Sequence, residues 1–454
     1  FHNGHKFHIE ESKKIVARDA AAVCVMSGDF VQRGEAAIFS KYARAEAAVK
    51  GGADLVLELP LPWALSSAEG FARGAVGLLG SLGCVDYISF GSECGDMNIL
   101  NTLATALMDP ALDAAILEEL KTGISYAAAR QKAIAKDIGS LAEYLETPNN
   151  ILAVEYLKAL YTLRLRMEPI TVKRSGAGHD KEGGSASDIR KMLKMDKPIK
   201  AYIPRETLDV YRHEMERGRG PVTMEALECA LLSRYRMMSA KDFSIIPDDA
   251  EGLGNRIYAA AHEESTLDAI LSASKSKRYA LSRIRRMCMC AALGIKEGDA
   301  DGTPPYARVL AANDKGKAIL KMMSDKAAIP VITKPASVKE LSAECRKLFE
   351  LNSAAHDFYV LGYTAKEERR GNDDWRTSPK IILICKVLKA HILYNLCVFN
   401  TMTCICNHFV ILYINKFVMK SQIDITNGSS NEKSYFTDFF ALPCYRCADP
   451  VRSY

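Results

Sequence analysis

The chain has 454 residues, 48% of them hydrophobic and 25% charged, with a formal net charge of +5. That balance fits a folded globular protein of more than one domain and excludes collagen-like, low-complexity and highly charged disordered chains. The small positive excess admits a polyanionic partner without requiring one.

The opening residues carry no charged-then-apolar pattern, so secretion is not expected. Thirteen cysteines follow no pairing logic, and six of them (Cys385, Cys397, Cys404, Cys406, Cys444, Cys447) fall in the last 70 residues. Scattered thiols of this kind suit a cytoplasmic location, where they stay reduced.

The first 95 residues alternate between two patterns. Helical stretches are predicted at roughly 4–15, 40–50 and 65–80, and apolar β-rich runs at "AAVCVM" (21–26), "DLVLEL" (54–59) and "DYISF" (86–90). Near-continuous apolar strands separated by helices indicate a parallel sheet covered on both faces. Each strand ends in a small or acidic loop ("SGDF", "PLP", "GSECGD"), and ligands of open α/β sheets sit at such carboxyl ends.

Residues 100–165 read as helical, interrupted at "ETPNN" (146–150). A further strand, "PITVKR" (169–174), leads into the Gly-rich "SGAGHDKEGG" and then a helix over "SASDIRKMLKM". Pro198 and Pro204 mark a boundary, after which 205–375 reads as mostly helical. The expected architecture is therefore an α/β parallel-sheet domain over 1–198 and a mainly helical domain over 199–379.

From 380 the composition changes, giving a tail over 380–454. Residues 390–415 hold no Asp, Glu, Lys or Arg and are long enough to cross a bilayer. Asn395, Asn400, His408 and Asn415 interrupt that run, so no membrane association is expected. Cys404, Cys406, Cys444 and Cys447, with His408, fit poorly with a compact zinc module. The tail is expected to be a non-native extension with little stable structure beyond about residue 385.

Two short motifs carry chemistry. "HNGH" at 2–5 stands where a strand hands over to a helix. Gly4 lets backbone approach a phosphate, the helix start offers unpaired N–H groups, and His2 and His5 face the same anion. Such donors stabilise charge that builds up on departing pyrophosphate. The plain alternative is a surface pair of histidines. Because the motif touches Phe1, a strand that would precede it is expected to be missing.

In "SASDIR" (185–190), Ser185 stands at an N-cap position with Asp188 three residues on. Ser187 and Arg190 lie one turn apart, so one helix end offers hydroxyl, N–H and guanidinium to phosphates. Alone, the hexapeptide is also an ordinary capped helix.

Together, H-x-G-H early and S-x-S-x-I-R late resemble the nucleotidyltransferase superfamily, a Rossmann-like fold. The stretches "MSGDFVQRGEAAIFSKYARAEAAVKGGADLVLELP" (26–60), "FGSE" (90–93), "TPNNILAVEYLKAL" (147–160), "KRSGAGHD" (173–180) and "KSKRYALSRIRRM" (275–287) closely resemble the bacterial tRNA(Met) cytidine acetate ligase family. The likeness runs from residue 1 to about 379. It implies an enzyme that activates acetate with ATP as acetyl-adenylate, releases pyrophosphate and acetylates N4 of the wobble cytidine of elongator tRNA(Met).

Acetate's own carboxylate would attack the α-phosphorus, so positioning and charge neutralisation suffice. The likeness also implies ATP contacts at Phe1, His2, Asn3, Gly4, His5, Gly91, Asn149 and Arg174, with Ser187 and Arg190 as the second phosphate element. Mg²⁺ is a companion that such ATP chemistry commonly uses, although no dedicated carboxylate cluster, and hence no metal site, is evident. DNA is not an expected partner.

Lys41 and Arg44, at a helix start in "SKYAR", are further phosphate or acetate candidates, or else two solvated charges. Arg33 and Glu35 in "QRGE" face the active site or form loop surface. Asp54 and Glu58 lie in an apolar strand, where a carboxylate is either paired structurally or functional. "KSKRYALSRIRRM" gathers Lys275, Lys277, Arg278, Arg283, Arg285 and Arg286 around Tyr279, a composition that suits an RNA backbone. Two other readings stay open: an adenylyltransferase with a small-molecule acceptor, and an RNA-binding protein that has lost catalysis.

Overall fold

Among the described residues there are nine strands, and four of them lie where apolar runs predict them: β1 (Val23–Ser27), β4 (Leu55–Leu59), β5 (Tyr87–Ser92) and β6 (Glu168–Lys173). Between β1 and β4 a tight hairpin forms from β2 (Phe30–Val31) and β3 (Glu35–Ala36), and β7 (Ala307–Ala312), β8 (Val331–Ile332) and β9 (Lys380–Ile381) come late in the chain. The computed structural model describes residues 1–124, 126–174, 186–195, 197–249, 252–276 and 279–383, all within one compact unit spanning Phe1–Ile384. Ser185, Lys277, Arg278 and the tail's apolar run and cysteine pairs lie outside the described residues.

The central sheet has the order β1-β4-β7-β8, with β9 also on β7. β1 and β4 run parallel from Val23 opposite Leu55 to Ser27 opposite Leu59. β7 runs antiparallel to β4, with a register shift between Val56 and Leu57. β5 and β6 pair in parallel in a sheet of their own.

Every residue of β4 and β7 is buried, which explains the unbroken apolar "LVLEL". The mostly helical 205–375 region also supplies β7 to the middle of the sheet. Its helices are Arg205–Glu216, Met224–Arg236, Leu253–Glu263, Leu267–Ser274, Leu281–Leu293, Asp314–Lys326 and Ala343–Tyr359, with a four-residue turn at Ala240–Phe243.

Small residues let helices sit close to the sheet. The helix Lys41–Lys50 buries Ala43, Ala45, Ala47, Ala48 and Val49 and is capped by the Ser40 hydroxyl, which accepts from the Ala43 N–H. Ala45, Ala48 and Val49 form one core cluster with Val56 of β4 and Leu310 and Ala311 of β7. Among the described residues no single helix is long and apolar enough to cross a membrane.

Candidate active site

The opening helix, Asn3–Ile15, starts in a reciprocal cap built from the motif itself. His2 Nδ1 accepts from the Gly4 N–H at 3.0 Å, and His5 Nδ1 accepts from the His2 N–H at 3.2 Å. A Cβ on Gly4 would stand 2.8 Å from the His2 ring, so only glycine allows this fold-back.

The consequence is chemical. With both Nδ1 atoms accepting, each neutral ring carries its proton on Nε2 and keeps that N–H free to donate. The two rings lie 4.0 Å apart between centroids. They are solvent-accessible yet deep among protein atoms, as the walls of a cleft are. Desolvation, then the charges of the Phe1 ammonium, Arg174 and Arg190, hold His2 at about 4. Desolvation, then His2, the Phe1 ammonium, His8 and Arg174, hold His5 well below the ordinary imidazole value.

Phe1 and Asn3 anchor this turn. The Phe1 ring packs over Gly51, where a Cβ would clash. The Asn3 N–H donates to the Tyr202 carbonyl at 2.9 Å and its side-chain amide to the Ala201 carbonyl at 3.0 Å.

One wall comes from the ends of β5 and β6. Gly91 lies under Arg174, whose Cγ would be 3.3 Å from a Cβ there. Arg174 Nη1 donates to Asn149 Oδ1 at 3.0 Å, and Asn149 Nδ2 donates to Glu93 Oε1 at 2.6 Å. Glu93 also accepts the Asn150 N–H at 2.8 Å, so it caps the helix Pro148–Thr162 and holds Asn149 in place. His8, one turn beyond His5, bonds through Nε2 to Ser89 Oγ at 3.0 Å. Sequence reading missed His8 and Glu93, although an i, i+3 histidine after H-x-G-H was a usable signal.

The other wall is the helix Ala186–Lys194. Ser187 Oγ accepts from Arg33 Nη1 at 3.1 Å, so Arg33 belongs to the site. Arg190 makes no hydrogen bond or ion pair among the described residues. Desolvation lowers its pKa from the usual guanidinium range, and Arg33 and Arg44 add like charge. Glu35, the carboxylate that acts on it, is tied to Arg285 at 2.9 Å.

Several expected residues are engaged elsewhere. Lys41 is not phosphate-facing: it is 1% exposed and bonded to Glu58 at 2.9 Å and Asp374 at 2.6 Å. Arg308 joins it, reaching Glu58 at 3.2 Å and Asp374 at 2.7 Å, and Tyr42 donates to Asp374 at 2.6 Å. Asp29 accepts the Lys41 backbone N–H and pairs with His356 Nδ1, each at 2.8 Å.

Three cations therefore meet three carboxylates in a sealed interior. Burial opposes the charged form of His356, but Asp29 overrides it and raises its pKa. Burial likewise opposes ionised Asp374, yet Lys41 and Arg308 hold it far below the carboxylate range.

Arg44 donates to the Ser27 carbonyl at the end of β1 at 3.1–3.2 Å and to the Phe39 carbonyl ahead of its own helix at 2.9 Å. Asp54 is paired with Lys13 at 3.0 Å and Asn313 at 2.8 Å. Of the basic run, Arg283 donates to the Asp248 carbonyl at 3.2 Å and Arg286 pairs with the Asp248 carboxylate at 3.1 Å. Those two guanidinium groups are occupied within the protein, whereas Lys275 is exposed. Among the described residues no group of three or more His, Cys, Asp or Glu side chains is arranged to hold a metal ion.

The histidine pair caps its helix beside Arg174 and Arg190, which make no ion pair among the described residues, by the carboxyl ends of the parallel pair β5 and β6. A family model described as HIGH Nucleotidyl Transferase matches residues 1–374. Two curated relatives, both named tRNA(Met) cytidine acetate ligase, narrow this further. That of Caldanaerobacter subterraneus subsp. tengcongensis is 42% identical over 376 residues, covering 80% of this chain and 92% of its own. That of Acetivibrio thermocellus is 37% identical over 397 residues, covering 83% and 95%.

A crystal structure of Thermotoga maritima TmcAL bound with alpha-thio ATP superposes with a TM-score of 0.80 at 31% identity, covering 84% of this chain and 97% of that one. This chain belongs to the tRNA(Met) cytidine acetate ligase family of HIGH nucleotidyl transferases.

Proposed function

We propose that the chain binds ATP across the His2–His5 turn, joins acetate to its α-phosphate, and passes the acetyl group to N4 of the wobble cytidine of elongator tRNA(Met). The supporting observation is the reciprocal histidine cap, which leaves two Nε2–H donors beside Arg174 and Arg190, with no free carboxylate between them among the described residues. Neutral donors and fixed guanidinium groups suit charge that grows on α- and β-phosphate oxygens as pyrophosphate leaves.

Acetate supplies the nucleophile, an acetate oxygen bonds to the α-phosphorus, and the bond to pyrophosphate breaks. The residues' task is to hold and neutralise. Gly91 gives backbone room beside Arg174, Asn149 offers an amide to the nucleoside, and Ser187 and Arg190 receive phosphate. Where Mg²⁺ accompanies ATP, phosphate oxygens and water are its natural ligands. The exposed Lys275, with Lys277 and Arg278, is our candidate for RNA backbone contact. Dependence on ATP and tRNA supports a cytoplasmic location.

The test supplies ATP, labelled acetate and unmodified elongator tRNA(Met), followed by digestion and search for labelled N4-acetylcytidine, with a His5→Ala variant alongside. Label that depends on His5 is expected. Acetyl-adenylate without labelled cytidine would point to a small-molecule acceptor, and tRNA binding without either product to an RNA-binding module.

A further inference from the structure

A cavity of about 110 Å³ lies where the phosphate site meets the helical region. Its walls include Glu35 and Arg285, which form an ion pair at 2.9 Å, together with Arg190, Met224, Leu271 and Met289. Arg190 also stands in the ATP cleft, so cavity and cleft share a wall. The volume suits one planar ring and not a nucleoside triphosphate.

We infer that this cavity receives the acceptor cytosine, with Glu35 and Arg285 reading its edge and Glu35 taking the proton that N4 gives up. The inference rests on the proposed acetylation of a cytidine. Cytosine presents one amine donor beside ring acceptors, and a carboxylate bonded to a guanidinium offers the matching acceptor and donors. A base taken out of its stack is held by edge hydrogen bonds and by apolar faces, here Met224, Leu271 and Met289.

Two other carboxylates line the cavity, but Asp268 is exposed, and Glu225 is 69% exposed and already bonded to Lys194. Glu35 is fixed in place. Its neighbour Gly34 has φ +72°, and a Cβ there would lie 2.5 Å from the backbone of Arg285 and Arg286, so the β2–β3 hairpin is seated directly on the helix Leu281–Leu293. The same hairpin carries Arg33 to Ser187.

In the transfer step the N4–carbon bond forms and the bond from acyl carbon to phosphate oxygen breaks. Its electron pair leaves with AMP, and the N4 proton passes to the Glu35 carboxylate.

The test separates the two half-reactions in the full chain. Acetate-dependent exchange of pyrophosphate into ATP reports adenylation, single-turnover transfer to unmodified tRNA(Met) reports acylation, and filter binding reports tRNA affinity. For Glu35→Gln, transfer should fall by about 100-fold or more relative to exchange, the scale of a lost proton acceptor, with tRNA affinity kept. Glu35→Asp should recover part of the loss, and Arg285→Met should weaken transfer more than exchange.

Equal loss of exchange and transfer would overturn the inference by making Glu35 a support of the ATP site. Unchanged transfer would also overturn it. A wild-type chain that performs no acetate-dependent exchange would sink the underlying functional reading instead.

Discussion

Two clusters of basic side chains form around the sheets, and they end in opposite states. Around Lys41, Arg308 and His356 the fold supplies Glu58, Asp374 and Asp29, so each charge has a partner in a dry interior. Around His2, His5, Arg174 and Arg190 the nearby carboxylates among the described residues are already committed, Glu93 to a helix cap and Glu35 to Arg285. The supply of acids, more than the choice of base, separates a structural cluster from one that awaits a polyanion.

The largest break in that contrast is expected on the paired side. Asp374→Asn leaves Lys41 and Arg308 to share Glu58, and breaking a buried ion set in this way costs about 3–5 kcal/mol. Urea unfolding measures it, and a loss below about 1 kcal/mol would mean that charge balance does not hold this segment.

On the unpaired side, Arg190→Ala should leave unfolding unchanged while removing a charge-assisted contact worth about 1.5–3 kcal/mol from ATP binding. Calorimetry would then show a Kd raised roughly 10- to 100-fold. A fall in stability instead would place Arg190 among the paired group.

The smallest effect concerns protons. His2 and His5 sit below the ordinary imidazole value, so the unfolded chain binds more protons, and their contribution to stability is lost as pH falls from about 6.5 toward the folded value, about 4 for His2. Bound phosphate favours the protonated rings, so ATP should bind with proton uptake and more tightly as pH drops from about 6 toward the free value, about 4 for His2. A histidine whose pKa rises tenfold in proton affinity on binding would tighten ATP by up to about 1.4 kcal/mol. Titrations in buffers of differing ionisation enthalpy read the uptake directly, and none would assign the charge complement to the arginines alone.

The strands and the histidine turn were legible because their causes are local: apolar runs, turn residues and a glycine at a close approach. β7 was not, since "ARVLAA" carries an arginine that looks unsuited to a buried strand. Arg308 is tolerated there because Glu58 stands opposite it in register and Asp374 closes over it, 66 residues on. Lys41 misled for the same reason, with partners at 58 and 374 that no local pattern exposes. Arg283 and Arg286 looked like free cations until the fold brought Asp248 to them.

The antiparallel place of β7 beside β4 has a consequence for biosynthesis. β4 leaves the ribosome by residue 59, but the strand that covers one of its edges is not made until residue 307. At ~5–20 residues per second the nascent chain carries that open apolar edge for tens of seconds. During that interval "LVLEL" is a ready template for mispairing, and expression of an isolated N-terminal half would make the exposure permanent.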